Sequence, residues 1–132
     1  MCKILIVEDN PVNLFLYKEV LEKAGHKIVM CSNGIDIVNV IEKETPNVLI
    51  LDILLPIKTG FEIYNEIKKT KLIKNMYVLF ISAAYSQSEI LEKTKIPYGQ
   101  VMIKPIDFKA LLSKIDSVYK TEKEKTECNM IN

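Results

Sequence analysis

The chain has 132 residues, 48% hydrophobic and 27% charged, the profile of one globular domain with a real core and no room for a second. Its eighteen basic residues are all lysine and balance seventeen acids to a net charge of +1, so neither nucleic acid nor an anionic membrane is an expected partner; the arginine that reads guanine and phosphate bidentately is missing. Cys2, Cys31 and Cys128 show no C-x-x-C spacing, which excludes a disulfide scaffold or zinc site, and with no signal-peptide core or membrane-length apolar stretch the expected setting is the reducing cytoplasm.

In chain order, K-I-L-I-V at Lys3–Val7 predicts a short buried strand, followed at once by Glu8 and Asp9. Asn10 and Pro11 read as a helix N-cap and first helical position, and Val12, Phe15, Leu16, Val20 and Leu21 recur at helical spacing until a C-cap at Gly25. His26 then falls in a helix–strand turn, the place of a solvated loop histidine. A second strand is expected over Lys27–Cys31, and a second helix over Gly34–Glu44 with Ile37, Val40 and Ile41 on one face, ended by Pro46. V-L-I-L at Val48–Leu51 lacks alternation, as in strands covered on both faces, and Asp52 stands at its carboxyl end.

Helices are predicted over Phe61–Lys69 and Ser86–Lys93, and strands over Tyr77–Ile81 and Val101–Ile103, the last ending at Lys104-Pro105. A final helix runs from Asp107 to about Tyr119. Lys68, Lys69, Lys71 and Lys74 form a solvated face, and the Phe and Tyr rings are assigned to packing. From Thr121 the chain is charged and aperiodic, giving a domain over 1–120 and a tail over 121–132.

Five βα repeats point to a doubly wound α/β fold with a parallel sheet. In the flavodoxin-like order 2-1-3-4-5, strands one and three are neighbours at the topological switch point, where ligands bind. Glu8, Asp9 and Asp52 then meet in one crevice, and their repulsion raises at least one pKa unless a hard cation intervenes. Mg²⁺ suits such oxygen donors. Ser82, at the end of strand four, adds a hydroxyl donor, and Lys104, at the end of strand five, adds a fixed positive charge. That set meets the needs of phosphoryl transfer onto a carboxylate, with Asp52 as nucleophile. An isolated acid is costly to bury, which is why its place in the most apolar run reads as chemistry.

The successive signatures V-E-D-N-P, D-I-L-L-P-I-K-T-G, I-S-A and K-P-I are spaced 43 residues from Asp9 to Asp52, 30 to Ser82 and 22 to Lys104. In these the chain resembles the CheY-like receiver domain of bacterial two-component response regulators, over about Lys3 to Tyr119. E-D-N and L-P-x-x-x-G look most like the single-domain, DivK-like regulators of cell-cycle phosphorelays. The resemblance implies a five-stranded (βα)5 fold, with Asp52 as phosphoacceptor, Asp9 as direct Mg²⁺ ligand, Glu8 as ligand through water, and the Leu54 backbone carbonyl completing the protein ligands. Ser82 takes the switch position and Lys104 the position of the family's lysine, with a cis bond to Pro105.

The resemblance further implies a protein that catalyses its own Mg²⁺-dependent phosphorylation and dephosphorylation. A histidine kinase or phosphotransfer protein would dock on the first helix, Asn10 to Gly25. With no output domain following, the readout is expected to be protein contact through the fourth helix, fifth strand and last helix. Two departures stand out. The switch aromatic lies three residues before the lysine in the family, and here that residue is Val101, with Tyr98 nearby; and K-I-P-Y-G at 95–99 replaces the usual glycine-alanine pair.

Competing readings are a pseudo-receiver that binds partners without phosphorylation, an aspartyl phosphatase and an FMN carrier. Position 54 is Leu where a phosphatase wants the second acid of D-x-D, and E-D-N-P after the first strand would repel an FMN phosphate.

Overall fold

The computed structural model describes residues 2–96 and 100–118; Tyr98 and the expected tail lie outside them. Among the described residues the order is β1 Lys3–Val7, α1 Pro11–Lys23, β2 Lys27–Cys31, α2 Ile37–Glu44, β3 Val48–Asp52, α3 Gly60–Lys68, β4 Tyr77–Ser82, α4 Gln87–Thr94 and β5 Val101–Ile103. A last helix, α5, covers 108–118. No helix among these residues is long and apolar enough to cross a membrane.

The five strands form one parallel sheet in the order β2-β1-β3-β4-β5, as the flavodoxin-like reading expects. Side chains alternate across it. Leu5, Val7, Leu49, Leu51, Val78 and Phe80 face one layer, where they pack with Ile37, Ile41, Ile63, Ile67 and Ile90 of α2, α3 and α4. Ile4, Ile6, Val48, Ile50, Leu79 and Ile81 face the other, against Tyr17 and Leu21 of α1 and Leu111 and Ile115 of α5. The uninterrupted apolar runs of β1 and β3 are therefore covered on both sides.

Three sequence expectations need correction. Val12 and Phe15 of α1 are 66% and 60% exposed, and Leu16 is exposed too; the helix buries Tyr17 and Leu21 instead, with Leu14 packed beside them. His26 is not a solvated loop residue. It is 7% exposed, and its Nδ1 accepts the Cys2 N–H at 3.1 Å. The β1–β2 pairing sets Lys3 beside Lys27, and the Lys27 N–H donates to the Cys2 carbonyl at 2.9 Å, which holds the turn against the start of β1. The second helix begins at Ile37, not Gly34: the Ile35 N–H is taken by Asn33 Oδ1 at 3.1 Å, which holds the preceding residues in a turn, and Gly34 passes close to α3, where a Cβ would meet Ile63 Cδ1 at 2.1 Å. A 3₁₀ turn at Lys71–Asn75, absent from the sequence reading, leads into β4.

Candidate functional site

The β1–β3 register pairs Val7 with Leu51, so Glu8 and Asp52 leave neighbouring strands side by side. Both are buried, at 2% and 4% exposure. Lys104, one residue past β5, reaches over them: its Nζ lies 2.5 Å from Asp52 Oδ2 and 3.2 Å from Glu8 Oε2. The other carboxylate oxygens accept backbone donors, Asp52 Oδ1 from the Leu54 N–H at 3.0 Å and Glu8 Oε1 from the Asn10 N–H at 3.2 Å. Lys104 is held by its own N–H, which donates to the Ser82 carbonyl at 2.7 Å, and its bond to Pro105 is cis, as the resemblance implies. Ser82 is buried, and its Oγ accepts the Tyr85 N–H at 2.8 Å.

Burial, then the hydrogen bond and charge of Asp52, push the Glu8 carboxyl up to about 7. Burial pulls the Lys104 ammonium down, but the hydrogen bond and charge of Asp52, followed by Glu8, outweigh it and leave the lysine firmly protonated. Tyr17 stands behind the pair. Burial raises its phenol, and the charges of Glu8 and Asp52 add to the shift. One ammonium thus bridges two buried carboxylates, a site short of positive charge.

Of the expected acids the structure gathers two, not three. Asp9 is exposed, and among the described residues no three His, Cys, Asp or Glu side chains converge as a metal cage. The donor chemistry still fits a hard cation, because the Glu8–Asp52 pair is all oxygen and, after burial, the hydrogen bond and charge of Asp52 add to the lift on Glu8. Asp9 is adjacent in sequence, and the Leu54 backbone lies two residues past Asp52.

Some contributors were not singled out from the sequence. Tyr17 was assigned to packing; nothing in its local sequence shows that it faces the acid pair. Gly60 donates its N–H to the Ile53 carbonyl at 2.8 Å and seats the start of α3 against the end of β3. Its signal was present as the last residue of L-P-x-x-x-G. Val101, which the sequence did single out, is buried beside Phe80, its register partner on β4.

A family model described as the response regulator receiver domain matches residues 4–116. The chain is 28% identical over 118 residues to protein PilH of Pseudomonas aeruginosa, covering 89% of this chain and 98% of that one. It is 26% identical over 80 residues to the polar-differentiation response regulator DivK of Brucella anthropi, covering 61% and 65%. The solved structure of chemotaxis protein CheY4 of Vibrio cholerae shares the fold at a TM-score of 0.79 and 23% identity, covering 89% of this chain and 98% of that one.

Proposed function

The chain belongs to the response regulator receiver domain family, and we propose that it takes a phosphoryl group onto Asp52 from a histidine kinase or phosphotransfer protein. The observation that carries this reading is the buried Asp52 carboxylate bridged by Lys104 at the switch point of the sheet. An Asp52 oxygen attacks phosphorus as the P–N bond to the donor's imidazole breaks, leaving an acyl phosphate on Asp52 and an imidazole that takes up a proton. Lys104 is fixed before the reaction, so its charge offsets that of the phosphoryl oxygens without reorganisation. The buried hydroxyl of Ser82 donates to the phosphoryl group once it is in place.

Members of this family generally bind Mg²⁺. Here Asp52, Glu8 through water, the Leu54 carbonyl and Asp9 turned inward would hold it, and it would supply charge neutralisation at the phosphoryl oxygens. The same residues serve hydrolysis of the acyl phosphate, so the protein catalyses its own dephosphorylation.

Donor docking on α1 is supported by its exposed Val12, Phe15 and Leu16. A groove of 520 Å³ beside them, lined by Leu16, Tyr17, Pro105 and Phe108, opens next to Lys104. Output passes through α4, β5 and α5 to a downstream protein in the cytoplasm, as a pre-existing equilibrium shifts.

Intact mass after incubation with acetyl phosphate tests the reading. A single Mg²⁺-dependent phosphoryl adduct is expected, absent in Asp52→Asn. No adduct in the folded wild type, with acetyl phosphate or a histidine-kinase donor, would favour the pseudo-receiver that signals by binding alone.

A further inference from the structure

Two ring-bearing segments are fastened near Asp52, one to the neighbouring strand β4 and one to the end of its own strand β3. Tyr85 is tied to Ser82 through its N–H, and it directly precedes Ser86, the N-cap of α4, whose capping box with Glu89 makes the first turn of that helix firm. Phe61 follows Gly60, which leaves no slack toward the acceptor: a Cβ at Gly60 would meet the Asp52 carbonyl oxygen at 2.5 Å. The rings of Tyr85 and Phe61 meet edge to face, 5.2 Å apart at 79°. Phe61 also leans on Phe80 at 6.2 Å, and the Lys93 ammonium of α4 sits 5.4 Å from its centroid.

We propose that the Tyr85–Phe61 ring pair couples the phosphorylation state of Asp52 to α4, so that the signal reaches α4 through Tyr85 bearing on the fixed ring of α3 instead of through a ring on β5. The inference rests on the phosphoacceptor reading. Val101 puts a short buried side chain where β5 faces β4, and a valine has no ring to reorient. The Ser82 hydroxyl accepts from Tyr85 and has one proton to give. New phosphoryl oxygens on the adjacent strand are strong acceptors for that proton, so Oγ turns toward them. Tyr85 either follows Oγ or loses its acceptor, and in both cases its backbone moves at the N-cap of α4. Phe61 cannot follow, because Gly60 is seated against the end of the acceptor strand. The Phe61 ring is therefore the fixed surface against which Tyr85 is displaced, and Lys93 over the same ring ties the last turn of α4 to that surface, so the shift at the N-cap is felt along the helix.

The test combines intact mass with hydrogen–deuterium exchange on the full chain, with and without acetyl phosphate and Mg²⁺. In the wild type at full adduct, exchange over residues 60–68 and 87–94 should change by about threefold or more, since such helices open locally. Tyr85→Ala should take the same adduct and lose that phosphorylation-dependent difference, and Tyr85→Phe should restore it. Phe61→Leu, which keeps apolar bulk without a ring edge, should behave as Tyr85→Ala does and guards against a folding defect in the latter. An adduct with the α4 response intact in both ring-deleted variants overturns the coupling alone. No adduct in the wild type removes the phosphoacceptor reading and the coupling together.

Discussion

Gly60 lies against the backbone of Asp52, where a Cβ would stand 2.5 Å from the carbonyl oxygen and 2.7 Å from the neighbouring Ile53 Cα. Both obstacles are backbone atoms of a strand buried on two faces, so neither can swing aside. The helix cannot retreat easily either, because the Thr59 Oγ1 caps it at the Glu62 N–H and the Gly60 N–H is bonded to Ile53.

Gly60→Ala should therefore lower stability by about 1–3 kcal/mol through overpacking, and shift Asp52 relative to Lys104. Urea unfolding checks the first effect and the rate of adduct formation from acetyl phosphate the second. An unchanged midpoint with an unchanged rate would mean that the approach relaxes at little cost.

Lys104→Met removes the ammonium that bridges Asp52 and Glu8 while keeping an apolar stem. Two buried carboxylates then lose a charged hydrogen-bond donor, at a cost of about 1.5–3 kcal/mol at pH 8. Glu8 is raised above its ordinary 4.5 to about 7, so its contribution to stability is full below 4.5 and is lost as the pH climbs to 7. Without Lys104 that rise is larger, so the deficit of the variant should be smaller at pH 5 than at pH 8. Added Mg²⁺ should return more stability to the variant than to the wild type. A deficit independent of pH and Mg²⁺ would assign Lys104 a packing role only.

Strands were the most legible part of the sequence. Lys3–Val7, Lys27–Cys31 and Val101–Ile103 stand as read, since a buried parallel strand is a short apolar run closed by polar residues. The outward face of α1 was not legible, because periodicity says which residues share a face and not which face is covered. Leu21, read in one series with Val12, Phe15 and Leu16, packs instead with Leu14 and Tyr17, and only the sheet separates the two sets. Asp52, Glu8, Ser82 and Lys104 could be placed from strand ends alone. The exposure of Asp9 and the seat of Gly60 depend on loop paths that no local pattern encodes. The burial of His26 is illegible for a similar reason, since its Nδ1 partner, the Cys2 N–H, is distant in sequence.

The His26 ring gives a second pH effect of opposite sign. Burial lowers its pKa below 6.5, partly offset by Asp116, whose Oδ1 lies 3.8 Å from Nε2. A depressed histidine is neutral when folded, so its stabilising share is present above pH 6.5 and is lost as the pH falls below that value toward the folded pKa. Protonation at Nδ1 would also expel the Cys2 N–H that now bonds there. His26→Asn offers a carbonyl oxygen to Cys2 and cannot titrate. Its unfolding midpoint should fall less than that of the wild type between pH 7 and 5, and parallel curves would show that Asp116 compensates fully.

Ile57 is β-branched, 74% exposed and held at φ +70, in a three-residue turn closed by the Lys58 N–H to the Pro56 carbonyl at 2.7 Å. That conformation costs a residue of this shape roughly 1–2 kcal/mol, and the exposed side chain recovers little by burial. Glycine would adopt the turn freely, at an unfolded-state entropy cost of about 0.4–1 kcal/mol. Ile57→Gly should therefore leave stability unchanged or raise it by up to about 1 kcal/mol, a result opposite to the usual effect of placing glycine in a chain. Because Ile57 stands five residues past Asp52 and touches none of the Lys104 bonds, adduct formation from acetyl phosphate should keep its wild-type rate. A clear loss in the urea midpoint would mean that the isoleucine side chain packs in a way its exposure hides.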